Sequence, residues 1–233
     1  MKDIKKVNSE LVEFWNNAIA LPEDYKKEVK ASNDNSVMDL VPAQKLFDAV
    51  KELGTCKKVL DYGCGSGWGA LVAASSGCKD VLAVDLGENI IDAVKFYAEV
   101  LGLKVNTKVI DENWLKTVPD NTFDGVACSN VLDVIPLETS REIVKELARV
   151  TTKDAKIVIG LNFYMSQEMA SKRNIELVDG KYLFVNDILR LSSLSDDEWK
   201  NEFVPYFNIE KLDYFAWEGE PKESRRLFVL RKK

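Results

Sequence analysis

From position 57 onward, short apolar runs alternate with longer stretches in which apolar residues recur at helical spacing. The first kind reads as buried strands, the second as amphipathic helices lying on them. Strands are expected at 57–61, 80–85, 105–110, 123–129 and 156–161. Helices are expected between them, at 67–75, 88–101 and 136–150. Ile90, Val94, Tyr97 and Leu101 make the inward stripe of the second, which Gly102 stops. Ile143, Leu147 and Val150 make that of the third, with Pro136 and a Thr139/Glu142 capping pair at its start. Repeated strand–helix units dictate a parallel sheet with helices on both faces.

The flanks differ. Residues 9–20 carry Leu11, Trp15, Ala18 and Ile19 on one helical face, and a charged helix follows over 23–31. Pro42 is placed for the first turn of a further helix, with Leu46, Phe47, Val50 and Leu53 inward and Gly54 closing it. Phe14, Trp15 and Tyr25 either pack or line a ligand mouth. The chain thus divides into an N-terminal helical extension, 1–41, and a main domain, 42–233. After the fifth strand the period is lost over 163–194. Ser195-Asp-Asp-Glu198 is a capping box ahead of Trp199 and Phe203, and Pro205 ends that helix. Residues 209–217 and 225–232 read as a terminal hairpin. Its arginines, Arg225, Arg226 and Arg231, are expected on a solvated edge.

Composition narrows the chemistry. The chain has 233 residues, 46% hydrophobic and 30% charged, with a net charge of −6. That is long enough for a sizeable core and offers no general attraction to nucleic acid. No apolar run approaches the roughly 18 residues of a membrane span, and the first residues lack a signal-peptide pattern. A cytoplasmic protein with no membrane and no nucleic-acid partner is the expectation. There is no histidine, and the four cysteines form no C-x-x-C pair. No metal site is therefore expected, and histidine-based triads are excluded.

The candidate site lies at the first strand–helix turn, V-L-D-Y-G-C-G-S-G-W-G. Glycines there admit positive φ and let a ligand approach bare backbone. The dinucleotide fingerprint G-x-G-x-x-G needs a third glycine at position 68, which is Trp68. Gly63, Gly65 and Gly67 instead fit G-x-G-x-G, with Asp61 two positions ahead. Cys64, inside the turn, reads as a small packing residue.

This turn resembles the first motif of the class I S-adenosylmethionine-dependent methyltransferases. Asp85 at the end of the second strand matches the family's acidic residue on the ribose hydroxyls. Asp111, Glu112 and Asn113 match its polar residues near the adenine amine. Phe123 to Ile135, with Ser129 and Asn130, looks like the stretch beside the cofactor's methionine end. The resemblance implies a Rossmann-like, doubly wound α/β fold. Its sheet has seven strands, mostly parallel with an antiparallel last strand, and a lid insertion at about 163–205. It also implies S-adenosyl-L-methionine as cofactor, S-adenosyl-L-homocysteine as product, and an enzyme that methylates a small molecule. Leu86 and Ile90, or Trp114, are candidates to flank the adenine. Without histidine, the candidate general bases are Asp133 and Tyr164. Two other readings stay open: a protein that binds the cofactor without turnover, and a nicotinamide oxidoreductase. The acceptor and the oligomeric state are not specified by the sequence.

Overall fold

The structure is a computed structural model and describes residues 4–233. Three helices precede the sheet: α1 (Ile4–Ala18), α2 (Glu23–Ala31) and α3 (Gln44–Lys51). Strands and helices then alternate: β1 (Lys58–Tyr62), α4 (Trp68–Ser75), β2 (Asp80–Asp85), α5 (Glu88–Val100), β3 (Asn106–Val109) and α6 (Trp114–Thr117). β4 (Phe123–Ser129), α7 (Leu137–Val150) and β5 (Thr151–Leu161) complete the pattern. β5 begins five residues before its expected start, and Thr151 and Ala155 are buried in that added part.

The aperiodic stretch is not irregular. It holds α8 (Gln167–Lys172) and a separate hairpin, β6 (Tyr182–Val185) with β7 (Ile188–Ser192). These elements are too short for a period to show. α9 (Asp196–Phe203), β8 (Phe207–Phe215) and β9 (Arg225–Lys232) follow. The capping box at α9 forms as expected: Ser195 Oγ accepts the Glu198 N–H, and the Glu198 carboxylate accepts the Ser195 N–H.

The sheet order is β3-β2-β1-β4-β5-β9-β8. β1 to β5 are parallel, and β9 runs antiparallel between β5 and β8. β8 therefore points the same way as β5, and its far end joins the carboxyl ends of β1 to β5. Alternation along each strand builds two cores. Val59, Val81, Ala83, Ala127 and Val158 meet α3, α4 and α5 on one face. Leu60, Val84, Val126, Ile157 and Phe228 meet α6, α7 and α9 on the other.

Two helix starts differ from expectation. Pro136, not Thr139, caps α7, and no side chain bonds there; Thr139 lies within the helix. Pro42 precedes α3, whose cap is Ala43. Ala18 is exposed rather than inward, because α1 ends there.

Candidate active site

The carboxyl ends of the strands open into a cavity of about 410 Å³. Sheet order arranges its walls. Ile110 and Glu112 stand after β3, Asp85 and Leu86 at the end of β2, the turn Gly63–Ser66 after β1, and Ser129–Val131 at the end of β4. Trp217, after β8, also contributes to the wall, as do Leu11 and Trp15 of α1 and Ile19 just after it. In open α/β sheets this crevice is where ligands bind.

The glycine turn is held from two sides. Gly63 N–H and Cys64 N–H both donate to the Val84 carbonyl, at 3.0 and 3.1 Å. Gly67 caps α4 with a left-handed backbone. Gly63 has φ +65°, and a Cβ there would lie 2.4 Å from Val131 Cγ2. Gly65 has φ +52°, but its Cβ position is open, with Ile19 Cδ1 at 3.8 Å the nearest atom. One glycine is thus required for packing. The other presents bare backbone to the cavity, as a closely approaching ligand needs.

Asp61 and Asp85 divide the work. Asp61 is buried, and its Oδ2 accepts the Ala70 N–H at 2.7 Å. It anchors the first turn of α4 and is not part of the cavity wall. Burial pushes its carboxyl up to about 7, against the Ala70 N–H. Asp85 does face the cavity. Its Oδ1 accepts Leu86 N–H at 2.7 Å and its Oδ2 accepts Gly65 N–H at 3.1 Å. It therefore ties the end of β2 to the glycine turn. Burial raises its pKa, while these N–H groups oppose the rise.

Leu86, Ile90, Glu112, Ser129 and Asn130 line the cavity, as does Cys64. Burial raises the Cys64 thiol well above its ordinary value, which makes it an inert packing group. Asp111 and Asn113 do not line it; Asp111 Oδ1 accepts the Asn113 N–H in an exposed turn. Trp114 belongs to the core under α7 and does not reach the cavity. Tyr25 is exposed and shares a hydrogen bond with the Tyr97 hydroxyl, so only Trp15 of the three early aromatics lines the mouth.

Neither candidate base stands at the cavity. Asp133 is fully buried behind it; its Oδ2 accepts Asn162 N–H at 2.5 Å and its carbonyl accepts Ser192 N–H. Burial pushes its carboxyl up to about 6, against the Asn162 N–H and the Arg226 charge. Tyr164 lies in a separate hollow beside Asp196, Lys200 and Tyr214. The terminal arginines also depart from expectation. Arg226 is 1% exposed and donates to the Asn162 and Leu194 carbonyls. Arg225 is 6% exposed, pairs with Glu220 and Asn162, and stacks on Trp217. Alternation fixes which strand faces are inward but not how much chain later covers them.

The roof is α1, not the insertion. No residue of 163–205 lines the cavity. Instead the β6–β7 hairpin backs α1: Leu189 packs with Val7 and Leu11, and Ile188 and Phe184 pack around them. The other end of α1 is fastened over the site. Asn16 Oδ1 accepts the Asn89 N–H at 2.8 Å, and Asn89 Nδ2 donates to the Asn16 carbonyl. That bond caps α5, whose own cap residue, Gly87, has no side chain to do it. The α1 stripe was legible as apolar, but the sequence does not reveal which side faces a ligand.

The fold and the glycine turn are similar to those of class I S-adenosylmethionine-dependent methyltransferase domains. Residues 59–154 match the family model described as a methyltransferase domain. Over 115 residues the chain is 30% identical to a ribosomal protein L11 methyltransferase of Ralstonia pickettii, covering 49% of this chain and 36% of that protein. It is 32% identical over 101 residues to a ubiquinone biosynthesis O-methyltransferase of Idiomarina loihiensis, covering 43% of this chain and 40% of the relative. The chain spans half or less of the length of the L11 methyltransferases it matches. Among solved structures, magnesium protoporphyrin IX methyltransferase from Synechocystis PCC 6803 with bound S-adenosylhomocysteine superposes with a TM-score of 0.67. That match has 16% identity and covers 97% of this chain and 100% of the other.

Proposed function

We propose that this protein transfers a methyl group from S-adenosyl-L-methionine to a small-molecule acceptor. The observation that carries this reading is the pairing of Gly65 and Asp85 across the turn. An open Cα faces the cavity, and a carboxylate with two oxygens stands beside it. Asp85 would accept the ribose hydroxyl hydrogen bonds, Leu86 and Ile90 would flank the adenine, and Glu112 would meet its amine. Asn130, after β4, would face the methionine part. The cofactor, when bound, supplies a methyl group already activated on a sulfonium. The chain's task is then alignment and exclusion of water, and orientation can contribute on the order of 7 kcal/mol. The roof formed by α1 supports a small acceptor over a protein or nucleic-acid strand, which needs an open groove.

S-adenosylhomocysteine is expected to raise the melting temperature, and NAD to leave it unchanged. Asp85→Ala should weaken S-adenosylhomocysteine by about 2–3 kcal/mol in calorimetry, as loss of charged hydrogen bonds. A melting shift with NAD alone would overturn the reading.

A further inference from the structure

The glycine turn and the end of β2 lie inside the matched stretch 59–154, and α1 lies outside it. Even so, the end of α1 and the residue after it sit on both ends of one bridge in the site. That bridge is the Asp85 carboxylate, which takes Leu86 N–H on one oxygen and Gly65 N–H on the other. Ile19 stands over the Gly65 end, its Cδ1 3.8 Å from the place a Gly65 Cβ would take. Asn16 sits on the other end. A Cβ at Gly87 would lie 2.7 Å from Asn16 Oδ1 and 3.1 Å from Asn16 Cβ.

The Asn16 contact is specific. α5 begins at Glu88, and its first N–H groups have no partner within the helix. Gly87 has no side chain to offer one. Asn16 Oδ1 accepts the Asn89 N–H at 2.8 Å, and Asn89 Nδ2 donates back to the Asn16 carbonyl at 3.2 Å. Two reciprocal bonds fix one orientation. Gly87 N–H faces Asp85 Oδ1 at 3.5 Å, so the stretch 85–89 joins the cavity carboxylate directly to the helix start that Asn16 caps.

Other elements hold Asn16 in that place. A helix of 15 residues is marginal in water by itself, so its contacts decide where α1 lies. The β6–β7 hairpin backs it: the Arg190 guanidinium lies 4.6 Å from the Phe14 ring and 5.2 Å from the Trp15 ring. Asn16 itself does not line the cavity. Any effect it has on a ligand travels through Gly87 and Asp85.

Resting on the methyltransferase reading, we infer that Asn16 is a positioning residue for the cofactor. It fixes the stretch 85–89, so that the Asp85 carboxylate is set for the ribose hydroxyls before the ligand arrives. A carboxylate already held in place loses less freedom on binding, and the ligand is bound more tightly for it. The N-terminal helix is thereby part of the cofactor site rather than an addition beside it.

The test is calorimetry on the full chain with two ligands. They are S-adenosylhomocysteine and its 2′,3′-dideoxy analogue, which lacks both ribose hydroxyls. Asn16→Leu keeps the size of the side chain and removes the acceptor. It is expected to weaken S-adenosylhomocysteine about tenfold and the dideoxy analogue by less than about twofold. In an Asp85→Ala background the same change should weaken S-adenosylhomocysteine by less than about twofold, the non-additivity that marks groups acting together. Gly87→Ala breaks the contact from the other side. Its φ of −95° suits any residue, and the added Cβ displaces Asn16 Oδ1. The same ribose-selective loss is expected there, which keeps the inference testable if Asn16→Leu does not fold. A loss equal for both ligands, a loss equal with and without Asp85, or an unchanged affinity overturns the inference and leaves α1 as mere cover. Binding of S-adenosylhomocysteine to the unaltered chain is read first; its absence refutes the methyltransferase reading itself, and this inference with it.

Discussion

Gly65→Ala is expected to fold and to lose S-adenosylhomocysteine affinity by on the order of 100-fold, as backbone approach is blocked. The Cβ enters open space, so the stability cost is limited to the left-handed backbone, about 1–2 kcal/mol. Gly63→Ala should do the opposite. Its Cβ would meet Val131 Cγ2 at 2.4 Å in addition to the φ of +65°. Strain and overpacking together predict about 2–5 kcal/mol of lost stability. Denaturant titration and calorimetry on both variants separate the two roles. Equal ligand loss in two equally stable variants would contradict this division.

Arg226→Leu is expected to be the most destabilising side-chain change in the terminal hairpin, by about 3–5 kcal/mol. It removes donors from the Asn162 and Leu194 carbonyls and leaves the buried Asp133 carboxylate without its facing cation. Arg231→Leu, whose partner Glu210 is exposed on the sheet edge, should cost about 1 kcal/mol or less. The Arg226 deficit should also depend on pH. Asp133 is already raised to about 6 by burial, and losing the arginine raises it further. A carboxyl with a raised folded-state pKa stabilises the fold at low pH, and that contribution is lost as pH rises through the folded value. The deficit relative to the unaltered chain should therefore be largest above pH 7, and it should shrink toward about pH 5. Urea titrations at both ends of that range provide the check; a deficit independent of pH would mean that Asp133 and Arg226 are not coupled.

The contrast between these residues explains what the sequence could disclose. Gly63, Gly65 and Asp85 act through a turn and the strand beside it. Their spacing in the chain is their spacing in the site, and the parallel sheet follows from the same local periodicity. Arg226 acts through Asn162, Leu194 and Asp133, which lie 64, 32 and 93 residues away in sequence and are assembled by packing. Nothing adjacent to Arg226 marks it as buried. Asp133 was plausible as a base because it follows β4 at the ligand end of the sheet. The descent of the loop behind the wall, fixed by Ser192 and Asn162, removes it. The roof illustrates the same limit. The apolar stripe of α1 is readable, but its partners are the β6–β7 hairpin on one side and a cavity on the other. Thr139 and Glu142 looked like a capping pair because their spacing is right; the helix begins earlier, and both residues face the cavity instead.

The most direct test of the central claim is transfer of a labelled methyl group. The protein is incubated with methyl-labelled S-adenosyl-L-methionine and a fractionated extract containing both metabolites and macromolecules. The account predicts label in a small-molecule product, formed in step with S-adenosyl-L-homocysteine and abolished in the Gly65→Ala variant. Label confined to protein or nucleic acid, or tight cofactor binding with no label transferred to anything, would contradict it.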